Sequence, residues 1–207
     1  MPDETNRSAR KRRAILDAAT ATFLRQGYLG TCMDEVAALA GVSKQTVYKH
    51  FADKERLFTE IVAATVDAAS DPVQAELREL RDSGDVGADL RDLARRQLTA
   101  VMQPRLLQLR RLVIGEAARF PDLGRAFYDR GPRRSVATLA DALAALAERG
   151  VLRLDDPRVA AEQFNWLIMA APLNRAMLLG EDGPPPPAEL DALVDAGVRA
   201  FLAAYGA

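Results

Sequence analysis

The chain reads as all-α, an N-terminal three-helix head followed by a C-terminal helical bundle. Three observations predict this. Apolar residues recur at helical spacing through most of its 207 residues. No strand-like alternation of useful length competes with them. One stretch, Thr31 to Phe51, places two short amphipathic segments on either side of Gly41, the spacing of a helix-turn-helix.

Taken in order, residues 1–6 form a short tail, and Arg7, Arg10, Lys11, Arg12 and Arg13 a basic arm running straight into a helix. Such an arm suits a phosphate or minor-groove contact, or simply a solvated terminus. Ile15, Ala19, Thr22 and Phe23 share one face of the first helix, which runs to about Gln26 and ends at Gly27. After Tyr28-Leu29-Gly30, Thr31 is placed to cap the second helix, with Asp34 and Glu35 at its positive end. Met33, Val36, Ala37 and Ala40 make that helix's apolar stripe, and Gly41 supplies the left-handed residue that ends it. Ser43 caps the third helix. Val47 and Phe51 face inward from it, while Gln45 and Lys49, flanked by Thr46 and Tyr48 with Lys44 in the first turn, face outward. Cationic and hydrogen-bonding side chains on that outer face suit a helix that enters a DNA major groove.

The body begins with Asp53 as a cap and Lys54 in the first turn of a long helix faced by Leu57, Phe58, Ile61 and Val62. Asp71-Pro72 reads as a kink or as a new start. Residues 82–87 form a loop. Helices then follow across Leu90 to Met102, Leu106 to Ile114 and Leu123 to Tyr128, and, after Gly131-Pro132, across Val136 to Leu146. Asp155-Asp156-Pro157 opens a long helix to about Leu179. Four consecutive prolines stiffen the loop at 180–187, and the last helix carries Leu190, Leu193, Val194, Phe201 and Tyr205 on one stripe. The division expected is a head at 1–52 and a body at 53–207.

The net charge of −1 hides a small asymmetry. Residues 1–60 hold ten Lys and Arg against eight Asp and Glu, and 61–207 hold eighteen against twenty-one, so a mildly basic head precedes a mildly acidic body. All four lysines lie in the first 54 residues. A single cysteine, Cys32, excludes an intrachain disulfide and a multi-cysteine zinc site. No His or Cys lies beyond residue 50, and neither a phosphate-binding glycine loop nor a metal-spaced carboxylate set is present. No catalytic residue, cofactor or metal is therefore expected. The most apolar run, Trp166 to Leu173, is too short to span a bilayer, and the basic start lacks a signal-peptide core, so a cytoplasmic protein without membrane contact is expected.

The first sixty residues resemble the DNA-binding head of the TetR/AcrR family of bacterial transcriptional repressors. The resemblance rests on A-I-L-D-A-A (14–19), Phe23, Gly27-Tyr28, Val36-Ala37, A-G-V-S (40–43), T-V-Y-K-H-F (46–51), D-K-E (53–55) and Leu57-Phe58. The segment 111–121 resembles one common variety of the family's C-terminal domain. The resemblance implies a homodimer on a pseudo-palindromic double-stranded DNA operator and a helical body that releases DNA on binding a small molecule. Carried over by position, Lys44, Gln45 and Thr46 would face base edges, and Thr31, Tyr48, His50 and Lys54 would hold phosphates. Cys32 departs from the Ser or Thr usual there, which leaves a hydroxyl contact without its group.

For the body, residues that break apolar runs are the candidates for an effector pocket: Gln97, Gln108, Glu116, Asn165, Trp166, Asn174 and Arg175. A mostly apolar pocket with a few polar anchors favours a lipophilic or aromatic effector. The segment 164–178 is apolar nearly all round. With the last helix it is expected to form a four-helix dimer interface through Phe164, Leu190, Leu193, Val194 and Phe201. The competing class is a helical-bundle enzyme or small-molecule carrier with an incidental helix-turn-helix.

Overall fold

The computed structural model describes residues 2–181 and 183–207, with side chains from Asn6 onward. Among them are ten α-helices: α1 (Pro2–Gly30), α2 (Met33–Leu39), α3 (Lys44–His50), α4 (Lys54–Glu79), α5 (Val86–Val101), α6 (Pro104–Glu116), α7 (Pro121–Tyr128), α8 (Arg134–Glu148), α9 (Pro157–Leu179) and α10 (Pro187–Tyr205). A 3₁₀ turn (Leu80–Asp82) and a π-helical turn (Asp129–Arg133) complete the list. The fold is all-α as expected; an isolated antiparallel bridge joins Leu152 to Gly206.

Several boundaries differ from the sequence reading. Helix α1 starts at Pro2, where a tail was expected at 1–6; Met1 lies outside the described residues. Gly27 does break α1, at φ 74° and ψ 177°, but 28–30 form another helical turn beyond it. Pro72 neither caps nor starts a helix: it sits inside the continuous α4. In the proline loop Asp182 lies outside the described residues.

By packing, the described chain forms two compact units, one of residues up to Thr65 with Leu109–Phe127, the other of Val66–Gln108 with Tyr128–Ala207. The first unit buries Ile15, Ala19 and Phe23 of α1, Val36 of α2, Val47 of α3, Phe51, and Leu57, Phe58 and Ile61 of α4. Tyr28 is the hub of its aromatic cluster, with ring centroids 5.3 Å from Phe58 and 4.6 Å from Phe120.

The second unit is built on α9, which packs against α8 and α10, while α10 packs on α5. Asp85 and Asp156 cap α5 and α9 by accepting backbone N–H bonds, from Ala88 at 3.0 Å and from Arg158 at 2.8 Å. This core contains four of the five residues expected at a dimer interface. Phe164, Val194 and Phe201 are fully buried, Leu190 is nearly so, and Leu193 packs half-buried against them. For Phe164, Leu190, Val194 and Phe201 that expectation is corrected: these four side chains complete the body's own core, where a partner cannot reach them. A segment apolar all round has two faces to hide, and periodicity does not say which one the same chain covers. Here the face left outside α9 carries Val159, Trp166, Leu167 and Leu178, all exposed.

Candidate nucleic-acid interface

The helix-turn-helix is assembled by local chemistry. Helix α2 ends at Ala40, Gly41 takes φ 64°, and the Val42 amide bonds back to Ala37 O at 3.1 Å. Ser43 then adopts an extended backbone, and its hydroxyl accepts the Thr46 amide at 3.2 Å, which starts α3. Val47 and Phe51 are fully buried, so the rotation of α3 is fixed and its opposite face is turned to solvent.

That face presents Lys44, Gln45, Tyr48 and Lys49, all exposed. The Lys44 ammonium lies 2.8 Å from the Asp34 carboxylate at the start of α2. Hydrogen bonding to Asp34 raises its pKa above the ordinary lysine value, so it is a cation at any physiological pH. Gln45 offers the donor and acceptor that can meet an adenine edge. Thr46 is half-buried, and its hydroxyl lies 2.8 Å from that of Ser43, so part of its hydrogen-bonding capacity is spent inside the cap. Tyr48 is 43% exposed, its phenol available to a groove wall. His50 closes α3 half-buried, its ring 6.2 Å from that of Phe51.

Two of the expected phosphate contacts are employed elsewhere. Thr31 is only 3% exposed and its hydroxyl donates to Gly27 O at 2.8 Å. It does not cap α2 either: Cys32 holds the N-cap position in extended conformation, exposed and without a side-chain capping bond. The Thr31 hydroxyl reaches back to the carbonyl four residues earlier, at the Gly27 break, and so is not turned toward the amides of α2. Lys54 donates to two backbone carbonyls, Tyr28 O at 2.9 Å and Thr31 O at 3.0 Å, and its ammonium stands 4.7 Å from the Tyr28 ring centre. It ties the start of α4 to the turn that precedes α2. Asp53 caps α4 as expected, accepting the Arg56 amide at 2.7 Å.

The basic arm is the exposed first part of α1. Arg12 pairs with Glu60 and lies over the Phe51 ring at 5.3 Å, and Arg13 pairs with Asp17 at 3.1 Å. Arg7 and Arg10 remain on the surface.

The residues expected at an effector pocket differ in exposure. Gln97 is buried, and Gln108, Glu116 and Asn165 are half-buried. Trp166, Asn174 and Arg175, expected at an effector pocket, lie on the exposed side of α9. Asn174 donates to Ala170 O at 2.9 Å on its own helix, and Arg175 is bonded to Glu181 and Glu189. Arg175 borders a cleft of about 220 Å³ with Met102, Pro172, Pro186 and Leu193, smaller than the range common for ligand pockets. Arg110 was not singled out from sequence. It lies half-buried on α6 with its guanidinium 5.5 Å from the Phe127 ring centre, a juxtaposition that chain spacing does not signal.

Comparison with known proteins gives a consistent result. Residues 15–61 match the profile of bacterial regulatory proteins of the tetR family, and residues 88–207, more than half the chain, match that of the AefR-like transcriptional repressor C-terminal domain. A TetR-family transcriptional regulator from Mesorhizobium loti MAFF303099 is 44% identical, with 97% of this chain and 99% of that one covered at a TM-score of 0.90. The flavonoid-responsive regulator FrrA is 33% identical, covering 96% and 98% at a TM-score of 0.78. The HTH-type regulator YhgD of Bacillus subtilis is 51% identical over 51 residues, 25% of this chain and 27% of that protein. Matches to curated relatives thus span about a third or less of those proteins' length.

Proposed function

Because this chain belongs to the TetR family of bacterial regulatory proteins, we propose that it is a ligand-responsive transcriptional regulator, a repressor released from a pseudo-palindromic operator by a small molecule. The observation that carries this is the outer face of α3. Ser43 starts the helix, Val47 and Phe51 anchor it, and Lys44, Gln45 and Tyr48 stand exposed on the other side. On this reading Lys44 and Gln45 face base edges, with Thr46 contributing less because its hydroxyl is shared with Ser43. Tyr48 and His50 approach phosphates, and Lys54 supports that surface from behind.

The reading includes a homodimer, since one short head offers too few base contacts for useful specificity. Its surface is the exposed side of α9, where Val159, Trp166 and Leu167 form an apolar strip, beside the exposed Ala192, Ala196 and Ala203 of α10. The helices are those expected from sequence, with the opposite faces. Similarity to a flavonoid-responsive regulator supports an aromatic effector for the body. The protein would work in the cytoplasm, where an operator lies. Among the described residues, no helix is long and apolar enough to cross a membrane. The family consists of regulators, and we assign no catalytic role.

Protection footprinting of the purified protein on its own genomic DNA tests the reading. The expected result is a two-fold symmetric footprint that fades as a flavonoid is added. Absence of any sequence-selective protection would overturn it. Gln45→Ala should relax base preference at one operator position by about 1–3 kcal/mol in selection from a random-operator library. Selection identical to wild type would remove Gln45 from the base-reading set.

A further inference from the structure

Several arginines on the body's helices are matched by carboxylates. Arg91 meets Asp195 at 3.0 Å, Arg95 meets Asp191 at 2.8 Å, Arg96 meets Glu76 at 2.6 Å, and Arg130 meets Asp67 at 2.7 Å. Arg175 is held by two acids. Arg110, on α6, differs. It is half-buried in the first compact unit, where Leu109, Val113, Leu123 and Phe127 are buried. One face of its guanidinium lies over Phe127, and among the described residues no carboxylate pairs with it. Burial alone pushes its pKa below the ordinary arginine value, with no neighbouring charge offsetting the effect. It nevertheless stays protonated, because a guanidinium does not lose its proton in proteins.

A desolvated cation without a counter-ion is destabilising, and an apolar side chain of similar length would serve the fold better. A guanidinium lying over an aromatic ring can still offer its N–H groups to an acceptor, and two parallel bonds to one acidic group are what its planar fork makes best. We propose that Arg110 binds the acidic group of the effector, which is therefore an aromatic or lipophilic anion bearing a carboxylate, sulfonate or ionised phenol. Phe127 supports the guanidinium from its other face. This inference rests on the effector-binding reading of the body and adds the charge of the ligand to it.

The test uses two fluorescent probes that differ in charge, anilinonaphthalene sulfonate and the neutral N-phenylnaphthylamine, titrated into the full-length protein. Arg110→Met should weaken binding of the sulfonate about tenfold to a hundredfold and leave the neutral probe unchanged, with Arg110→Lys recovering part of the loss. The ligand-free Arg110→Met protein should melt at the wild-type temperature or above it. Unchanged sulfonate affinity in Arg110→Met overturns the proposal, as does equal loss of both probes or a lower melting temperature, each of which would make Arg110 a structural residue. Binding of neither probe to the wild type would overturn the effector-binding reading itself, and this inference with it.

Discussion

Lys54 was expected among the phosphate contacts, and its surroundings give it a second task. Two carbonyls of the α1–α2 connection and the Tyr28 ring receive its ammonium. Bonds from a charged donor to backbone oxygens are stronger than neutral ones, so Lys54→Ala should destabilise the head by about 2 kcal/mol in denaturant unfolding. An unchanged midpoint would return Lys54 to a purely DNA-facing role, in which case the salt slope of binding should fall by about one. Tyr28 itself responds to pH. Burial, followed by the negative charge of Glu55, raises its phenol pKa above the ordinary value. The folded state therefore holds a proton that the unfolded chain loses near pH 10, and stability should fall as pH rises past about 10. Tyr28→Phe should remove that component of the alkaline transition. An identical alkaline limb in the variant would assign it to other groups.

At the scale of single elements, the start of the reading helix depends on one hydroxyl and the approach to it on one glycine. Ser43→Ala removes the acceptor of the Thr46 amide, and a loss of about 1 kcal/mol is expected, with weaker operator binding as α3 frays. Gly27 occupies φ 74° and ψ 177°, a region that side-chain-bearing residues rarely enter, although a Cβ there would meet nothing within 4 Å. The cost of Gly27→Ala is thus backbone strain alone, about 1–3 kcal/mol, measurable as a lower melting temperature of the head. A neutral substitution would mean that α1 can run on without the break. Both positions were legible from residue type, because caps and left-handed turns are decided by atoms within a few residues. The Thr31 cap was misread for the complementary reason: two acceptors or donors compete for that hydroxyl, and which is nearer depends on how α1 bends.

Across the whole molecule, the exposed and buried faces of α9 make opposite predictions. Trp166→Asp leaves the core untouched and should give a folded monomer by sedimentation velocity, with helical circular dichroism retained. A surviving dimer would place the interface elsewhere. Phe201→Asp, by contrast, puts a charge where Phe164 stands edge-on at a centroid distance of 5.1 Å. It should unfold the body instead of splitting a dimer, since truncation of a core Phe alone costs about 3–5 kcal/mol. The pocket residues divide in the same way. Asn174 and Arg175 break an apolar run because they face water, whereas Arg110, which with Arg111 breaks the run 106–114, is half-buried and lies over Phe127.

By itself the sequence determined the all-α architecture, the helix-turn-helix with its Gly41 turn and Ser43 cap, and the outward set on α3. Each of these follows from spacing and residue type within about a turn or two of helix. Only the tertiary structure decided that Phe164 and Phe201 are core, that Thr31 and Lys54 are bonded inside the head, and that Arg110 lies over Phe127 with no carboxylate paired to it among the described residues. Those facts depend on which apolar face is covered and which carbonyl or carboxylate comes within 3 Å, and such distances are fixed by the packing of residues far apart in the chain.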